Sequence, residues 1–399
     1  MISLSMTTSE VLCSISKYNI YLRYLKKNDI INKIYCLGDA NMEQYYKLVD
    51  DLQGKSINGW FVREKISSKP SSGGNFSVGY IAVRGSGEEG FLKAMDFSPA
   101  FGAPNGAELI NAMTDAYLFE KELLYKCTKN RLKHVVKIID AGQYELPFEQ
   151  FPKDKPFYNI PVYYLVFEKA ENSVRNIIDI NETLDISWSL RSLHNVAVGI
   201  EEMHYIQIAH QDIKPSNVLL FDKASTSKIG DVGRASALGI QAEHDDFPVA
   251  GDKTYSPIEQ LYGFCLSDWQ KRRFSCDMYM FGNLIMSYFN NISITYAIDR
   301  MLPSSARFRT WGDSYEAVLP QIQLAFDTVL NQFCCRMDTR LRDELIEMIR
   351  QLCNPDVYKR GDIKLAHLGS QQYSLRKYIT KLDYLAKKYE YLLMKRARA

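Results

Sequence analysis

The amino-acid sequence predicts an α+β fold in which strands dominate the first part of the chain and helices the rest. Short apolar runs separated by Gly-, Ser- and Pro-rich stretches recur between residues 60 and 168, which is typical of strands. Longer segments with apolar residues at helical spacing follow, the clearest running from Ile186 to Tyr205. The chain has 399 residues, enough for two lobes or domains.

Composition argues against several classes of protein. The chain is 46% hydrophobic and 24% charged, as globular proteins are, and 49 basic against 47 acidic residues give a net charge of +2. So small a charge gives no reason to expect nucleic acid as a partner. The eight cysteines include no C-x-x-C pair, and Cys334 and Cys335 are adjacent, so we expect reduced thiols rather than a zinc site or disulfides.

The sequence shows neither a signal peptide nor a transmembrane segment. The N-terminus lacks a basic start followed by an apolar core. The longest apolar stretch, Met278 to Phe289, is interrupted by Gly282 and Asn283 and is too short to span a bilayer. We therefore expect a soluble, cytoplasmic protein.

Residues 1–58 are expected to form a helical N-terminal extension. Thr8, Ser9 and Glu10 can cap a first helix, and a second helix is predicted from Ala40 to Leu52. Helical periodicity carries no chemistry, so packing against the first lobe is the simpler interpretation. A regulatory or docking module that contacts a partner is the alternative.

A loop rich in Gly and Ser, over residues 67–76, separates two predicted strands, Trp60 to Ile66 and Ser77 to Val83. Backbone N–H groups in such a loop can approach phosphates, because glycine has no β-carbon in the way. Gly74 and Gly79 are the glycines considered for this role, and a plain hairpin turn is the alternative.

The predicted strands and helix that follow complete the first sheet and precede the polar loops. Predicted strands at Phe91 to Phe97, which carries Lys93 among apolar neighbours, at His134 to Asp140 and at Val162 to Glu168 complete the first sheet. The helix from Ile186 to Tyr205 is expected to bury one face made of Leu190, Leu193, Val196, Ala197, Ile200 and Met203.

Two short loops after this helix concentrate polar side chains. The first reads His-Gln-Asp-Ile-Lys-Pro-Ser-Asn and ends at Asn217, and the second reads Lys-Ile-Gly-Asp-Val-Gly and contains Asp231. Such a set suits phosphoryl transfer. Asp212 can orient the attacking hydroxyl and Lys214 can neutralise phosphate charge, while Asn217 and Asp231 can hold Mg²⁺.

In order and spacing the two loops resemble those of eukaryotic-like Ser/Thr protein kinases, whose patterns are H-R-D-L-x-x-x-N and D-F-G. The resemblance covers about residues 59 to 368. It implies a bilobal α+β kinase fold with a small β-rich N-lobe and hinge over 59–170, a larger helical C-lobe over 171–368, and a C-terminal helix over 369–399. It also implies ATP and Mg²⁺ as cofactors and a protein substrate, and the Lys214-Pro215 pair resembles the Ser/Thr branch.

The resemblance assigns roles to individual residues. Asp212 and Lys214 would be catalytic, and Asn217 and Asp231 would bind metal. Lys93 would hold the α- and β-phosphates of ATP, and the remaining nucleotide contacts would come from Gly74, Gly79 and the backbone from Glu168 to Ala170. The partner of Lys93 on the next helix is expected to be Glu120, since Leu123 and Leu124 would pack beneath it, with Glu122 as the alternative.

Structural roles follow from the same resemblance. His210 is expected to brace its loop by packing. Glu259, in the segment Thr-Tyr-Ser-Pro-Ile-Glu, is expected to pair with Arg360, and Asp277 would lie in the long central helix of the second lobe. The tail is expected to be a packed helix, with contact to a partner or an anionic surface as the alternative.

Three departures from the family pattern matter. The glycine loop is irregular, Val232 replaces the Phe after the metal-binding acid, and Gln211 replaces the Arg that meets an activation-loop phosphate in the family. We therefore predict that phosphorylation of Ser236 or Thr254 is not required for activity. The alternative is that a Lys or Arg from elsewhere in the chain replaces the missing Arg. A pseudokinase scaffold and a small-molecule kinase are the rival functions.

Overall fold

The computed structural model describes residues 47–66, 77–100, 103–147, 150, 161–181, 184–333 and 338–398. The chain divides into two compact units. The first contains the described residues of Met1–Ser86, with Lys93–Asp115 and Gly142–Tyr164, and the second contains Gly87–Leu92, Ala116–Ala141 and Leu165–Ala399. None of the helices in these described ranges is both long and apolar enough to cross a membrane.

A six-stranded sheet has the order β1-β2-β3-β4-β6-β5. Strands β2 and β3 pair antiparallel from Trp60–Arg84 to Ile66–Gly79, with an irregularity between Val62 and Glu64. The two strands predicted beside the Gly- and Ser-rich segment are confirmed. The strands are β1 (Ser56–Ile57), β2 (Trp60–Ile66), β3 (Ser77–Arg84), β4 (Glu89–Met95), β5 (Ile138–Tyr144) and β6 (Val162–Glu168).

The core of the first unit forms around Trp60 and Tyr80, whose side chains are fully buried. The Arg84 guanidinium lies 4.4 Å from the centre of the Trp60 ring, and the Tyr80 hydroxyl donates to the Val49 carbonyl at 2.6 Å. Burial raises the pKa of Tyr80 to about 12, so the hydroxyl keeps its proton and remains a donor.

Several predicted elements differ from the structure, including the strand predicted at Phe91 to Phe97, which lies at Glu89–Met95, and the C-terminal helix predicted from residue 369, which begins at Arg376. The strand predicted from residue 134 begins only at Ile138, because Val135 bridges Ile229 and the Val136 N–H donates to the Ile229 carbonyl. The pattern identified extended backbone but not the strand with which it pairs. Of the second N-terminal helix only residues 47–52 are described, and there the helix is a single 3-10 turn, Leu48–Asp50, which ends at Asp51 in a non-helical conformation.

Helices dominate the second unit, and the α+β class is confirmed. One helix, α1 (Gly106–Lys129), contributes to both units. The other helices are α2 (Val174–Ile180), α3 (Ile186–Tyr205), α4 (Ile258–Leu261), α5 (Trp269–Asn290), α6 (Ile294–Met301), α7 (Tyr315–Asn331), α8 (Thr339–Leu352) and α9 (Arg376–Arg398). Segments of 3-10 helix lie at Ser98–Ala100, Pro215–Asn217, Glu243–Asp246, Ser304–Ala306, Val357–Lys359 and Ile363–Tyr373.

Two small sheets position the polar loops. One has the order β10-β9-β7, and the other pairs β11 with β8. The connection between β8 and β9 is the first polar loop, and the second polar loop follows β10. The strands are β7 (Asn172–Ser173), β8 (Ile208–Ala209), β9 (Val218–Phe221), β10 (Thr226–Ile229) and β11 (Ser236–Ala237).

Helices α3 and α5 form the centre of the second unit. Asp185 caps α3 by accepting the Trp188 N–H at 2.8 Å, and the predicted apolar face of α3 is fully buried. Helix α5 is buried from Arg273 to Tyr288. A helix buried on all sides makes a rigid base for the loops attached to it.

The C-terminal helix α9 packs along α3. Leu375 and Leu382 are fully buried. The Arg191 guanidinium of α3 binds Asp383 at 3.0 Å and Glu390 at 2.9 Å. These contacts confirm the packed-helix interpretation of the tail.

Candidate active site

A buried carboxylate on α5 fixes the backbone of the first polar loop. Asp277, which is fully buried, accepts the His210 N–H and the Gln211 N–H, each at 2.7 Å, and the His204 Nε2–H at 2.9 Å. Gln211 has φ +65°, in the left-handed region that costs energy for a residue with a side chain. The donors satisfy the buried charge and hold this strained turn.

His210 joins the two polar loops. Its side chain is fully buried, with Nε2 donating to the Gly230 carbonyl at 2.9 Å and Nδ1 accepting the Asp212 N–H at 3.2 Å. The Gly230 N–H in turn donates to the Asn217 carbonyl at 2.9 Å. The bracing role predicted for His210 is confirmed, and the loops that carry Asp212 and Asp231 are adjacent because of it.

Asp212, Lys214 and Asn217 converge on the first polar loop. Asp212 Oδ2 lies 3.0 Å from Lys214 Nζ and 3.2 Å from Asn217 Nδ2, which also donates to the Asp212 carbonyl at 2.9 Å. The Asp212 side chain is 7% exposed, so it is shielded from water and yet reachable. This combination suits a group that accepts a proton from a bound hydroxyl.

For both Asp212 and Lys214, burial and the oppositely charged neighbour shift the pKa in opposite directions. Burial raises the pKa of Asp212, the Lys214 ammonium counteracts it, and the Asp231 carboxylate adds to it. For Lys214, burial disfavours the charge, but the nearby Asp212 carboxylate outweighs burial and the pKa of Lys214 rises. Lys214 therefore stays cationic, and Asp212 is a stronger base than a solvated carboxylate.

The second polar loop presents Asp231. This residue adopts φ +60°, and its side chain is exposed, while the next residue, Val232, is fully buried. A β-carbon built on Gly233 would lie 3.4 Å from Asp231 Oδ1 and 3.6 Å from Glu120 Oε2. The Glu120 carboxylate of α1 thus faces this loop. Glu120 is 4% exposed, whereas Glu122 is exposed, and this difference favours Glu120 as the functional acid.

The residues proposed for nucleotide are distributed over both units. Lys93 lies half-buried on β4 in the first unit, and Gly79 pairs with Ile66 within β3. In the second unit, Glu168 ends β6; its N–H donates to the Lys137 carbonyl at 3.1 Å, and its carboxylate binds Lys228 Nζ at 2.7 Å. Ala170 is half-buried two residues further on, and Gly74 lies outside the described residues.

Oxygen atoms are the candidate metal ligands. Asn217 donates through Nδ2 to Asp212, and its Oδ1 accepts the Ser216 hydroxyl at 3.4 Å and has a second lone pair for a cation, while Asp231 supplies a carboxylate. No group of three or more His, Cys, Asp or Glu side chains converges as a metal site in the described part of the chain. This donor set fits Mg²⁺, which is usually bound through one or two carboxylates together with substrate phosphates and water.

Two further residues of this site were missed from the sequence. The Asp252 N–H donates to Asp212 Oδ1 at 2.8 Å, and Asp252 Oδ2 lies 3.6 Å from Lys214 Nζ. Gly251 precedes it in close contact with the first polar loop. Both residues are about 40 positions from Asp212 in a loop that contains other acids, so no local pattern distinguished them.

Replacing Gly251 by Ala is expected to lower the rate of phosphate transfer. The added β-carbon would lie 2.3 Å from the Gln211 carbonyl oxygen and 2.7 Å from Asp212 Oδ1. Backbone atoms cannot yield easily, so Asp212 must shift, and a displacement of about 1 Å can cost a hundredfold in rate. The measurement is the initial rate of substrate phosphorylation. Gly312→Ala is the control, because nothing lies within 4 Å of its β-carbon position and its φ lies outside the left-handed region, and an unchanged rate for Gly251→Ala would contradict the expectation.

Comparison with known proteins places this arrangement in a family. The model of the protein kinase domain matches residues 111–371. The serine/threonine-protein kinase SBK1 of Danio rerio is 27% identical over 190 residues, covering 45% of this chain and 42% of that protein. The serine/threonine-protein kinase PrkC of Bacillus subtilis is 32% identical over 103 residues, covering 26% of this chain and 16% of that protein.

A third relative is the CTD kinase subunit alpha of Saccharomyces cerevisiae, 26% identical over 151 residues that cover 37% of this chain and 27% of that protein. The chain thus spans less than half the length of these curated relatives. The family model covers the polar loops, their supporting helices and Glu120, and the predicted resemblance is confirmed. The chain belongs to the protein kinase family.

Proposed function

We propose that this chain is an ATP- and Mg²⁺-dependent protein kinase that transfers the γ-phosphate of ATP to Ser or Thr hydroxyls of protein substrates. The observation that carries the proposal is the buried contact of Asp212 with Lys214 and Asn217, adjacent to the loop that presents Asp231. These side chains supply a base, a cation and two oxygen ligands, the set that phosphoryl transfer uses.

Each residue has one task in this mechanism. Asp212 orients the acceptor hydroxyl and takes its proton, and Lys214 steadies the transferred phosphate. Asn217 and Asp231 hold Mg²⁺, which when bound neutralises charge on the phosphates of ATP. Lys93, fixed by Glu120, positions the α- and β-phosphates.

The adenine is proposed to rest on the segment that follows β6. Because the Glu168 N–H is used within the sheet, Glu168 would contact the base through its carbonyl and Ala170 through its N–H. Gly74 and Gly79 are proposed to lie over the phosphates. Autophosphorylation and a cytoplasmic location are further predictions of this function.

Asp212→Asn is the test of the proposed function. Incubation with labelled ATP and Mg²⁺ is expected to show autophosphorylation and transfer to a generic protein substrate by the wild type. The variant keeps the shape of the side chain but loses the base, so its rate is expected to fall by about a factor of 10² to 10⁴.

The thermal midpoint is measured for both proteins so that a folding defect is not taken for lost chemistry. A wild type that binds nucleotide but transfers no phosphate would favour a pseudokinase scaffold over the proposed enzyme. Transfer to serine, threonine and tyrosine is separated by phosphoamino-acid analysis of the products, and phosphotyrosine alone would contradict the Ser/Thr assignment.

A further inference from the structure

A buried arginine of α5 contacts Gln211, the residue beside the proposed catalytic base Asp212. Arg273 is 2% exposed, and its Nη1–H donates to Gln211 Oε1 at 3.0 Å. Gln211 Nε2–H donates back to the Arg273 carbonyl at 3.2 Å. The neutral side chain that replaces the family's Arg is therefore bound to an arginine that comes from another element.

Arg273 also binds the loop between residues 234 and 253. Its Nη2–H donates to Asp245 Oδ1 and to the Asp245 carbonyl, each at 2.8 Å. Asp245 Oδ1 further accepts the Ser236 hydroxyl, and Oδ2 accepts the Ala242 N–H at 2.8 Å. One carboxylate thus joins three parts of the second unit: the loop itself, α5 and, through Arg273, the first polar loop.

The short 3-10 turn Glu243–Asp246, which carries Asp245, contacts α1 as well. The His244 ring meets the Phe119 ring edge to face, with 5.9 Å between the ring centres, and His244 Nε2 donates to the Ala235 carbonyl at 2.8 Å. Burial lowers the pKa of His244, so the ring is neutral at physiological pH. Phe119 directly precedes Glu120 on α1. The turn therefore contacts α1 beside Glu120 and, through Arg273, the first polar loop.

A buried guanidinium needs an anion, because an unpaired buried charge is strongly unfavourable. A phosphate on a loop orders that loop by pairing with arginines. In this chain the Asp245 carboxylate, which belongs to the loop itself, already pairs with Arg273. Ser236, one of the predicted phosphorylation sites, is fully buried, and a phosphate on it would lie against the Asp245 carboxylate.

We propose that Arg273 and Asp245 are positioning residues for catalysis, which hold the 234–253 loop against Gln211 in place of a phosphate on that loop. The inference rests on the proposed kinase function and adds how the site is kept active. The sequence left open that an Arg from elsewhere in the chain replaces the missing Arg, and Arg273 is that residue. Its anion is Asp245, so the ion pair forms without phosphorylation of the loop.

The wild-type measurement tests the inference without any variant. The protein is treated with phosphatase, its lack of phosphate is confirmed by mass spectrometry, and the initial rate on an exogenous protein substrate is measured. A full rate from the first time point is expected. A rate that starts near zero and recovers only as phosphate accumulates on the 234–253 loop would overturn the inference and leave the proposed function standing.

Asp245→Asn is the matching variant, and Asp246→Asn on the same turn is its control, because the Asp246 side chain is exposed. Asp245→Asn is expected to lower kcat at least about tenfold, as expected for the loss of a charge-assisted hydrogen bond. ATP affinity should hold, and hydrogen exchange in residues 234–253 should increase. The thermal midpoint should fall, because Arg273 loses its anion, so kcat is measured well below that midpoint. The control should match the wild type in all four measurements.

A second comparison separates positioning from general stability. Arg273→Gln and the double variant with Asp245→Asn are measured beside the single variants. If the two residues act as one unit, the double variant loses no more activity than the worse single variant. Additive losses, or an Asp245→Asn protein with unchanged kcat and exchange, would overturn the inference. Wild type inactive both with and without phosphate would overturn the proposed function and the inference together.

Discussion

Asp231→Asn is expected to abolish phosphate transfer and Mg²⁺-dependent nucleotide binding while the protein remains folded. The substitution preserves the shape of the side chain and removes only its charge, which is the property a Mg²⁺ ligand needs. The Asp231 side chain is exposed and the next residue, Val232, is buried, so an Asn of the same shape can replace Asp231 without repacking the core. The measurements are ATP titrations with and without Mg²⁺, the rate of transfer, and the thermal midpoint.

Asp222→Asn is the matched control for this experiment. Asp222 is also an exposed aspartate in the left-handed region, with φ +54° against φ +60° for Asp231, but it lies in the turn between β9 and β10. Any general cost of Asn in such a backbone conformation appears in both variants, and loss of metal binding only in the first. Wild-type Mg²⁺-ATP affinity in a folded Asp231→Asn protein would refute the assignment of Asp231 as a metal ligand.

Local sequence patterns correctly predicted the helices and strands that are determined by neighbouring residues. The helix from Ile186 to Tyr205 and the strand from Val162 to Glu168 have the predicted bounds, since apolar periodicity and a short apolar run are properties of neighbouring residues. The two polar loops were also identified, because their functional residues lie a few positions apart on one loop each.

Contacts between distant residues that no family pattern specifies could not be predicted from the sequence. Asp252 meets Asp212 across 40 positions, and Arg273 meets Asp245 across 28. Nothing in the local pattern distinguishes Arg273 from the neighbouring Arg272, or Asp245 from Asp246. Only the packing of the loop against α5 selects one of each, and that packing depends on the whole second unit.

The choice between Glu120 and Glu122 shows the same limit in a milder form. Both acids lie on one predicted helix, and the preference for Glu120 came from the positions of the two leucines that follow. In the structure Leu123 and Leu124 are buried, as is Glu120, while Glu122 is exposed. Helical geometry was enough to choose a face, but the pairing of Lys93 with Glu120 remains a prediction.

Arg360→Met is expected to destabilise the second unit by about 3–5 kcal/mol, because it leaves the buried Glu259 carboxylate without its cation. Arg360 is fully buried and binds Glu259 with two bonds, at 2.8 and 2.7 Å, as predicted from the sequence. Burial disfavours the Arg360 charge, but the Glu259 carboxylate outweighs burial and raises the pKa of Arg360. Urea unfolding followed by tryptophan fluorescence reports mainly this unit, which contains Trp188, Trp269 and Trp311.

Two further variants test whether the loss of stability arises because the ion pair is buried. Arg350→Met breaks an ion pair with Asp327 in which both side chains are largely exposed, and it should cost less than about 1 kcal/mol. The double variant Arg360→Met with Glu259→Leu removes both buried charges and should be more stable than Arg360→Met alone, since no buried charge is left unpaired. A double variant no more stable than Arg360→Met would show that loss of the two bonds themselves, rather than the cost of an unpaired buried carboxylate, accounts for the destabilisation.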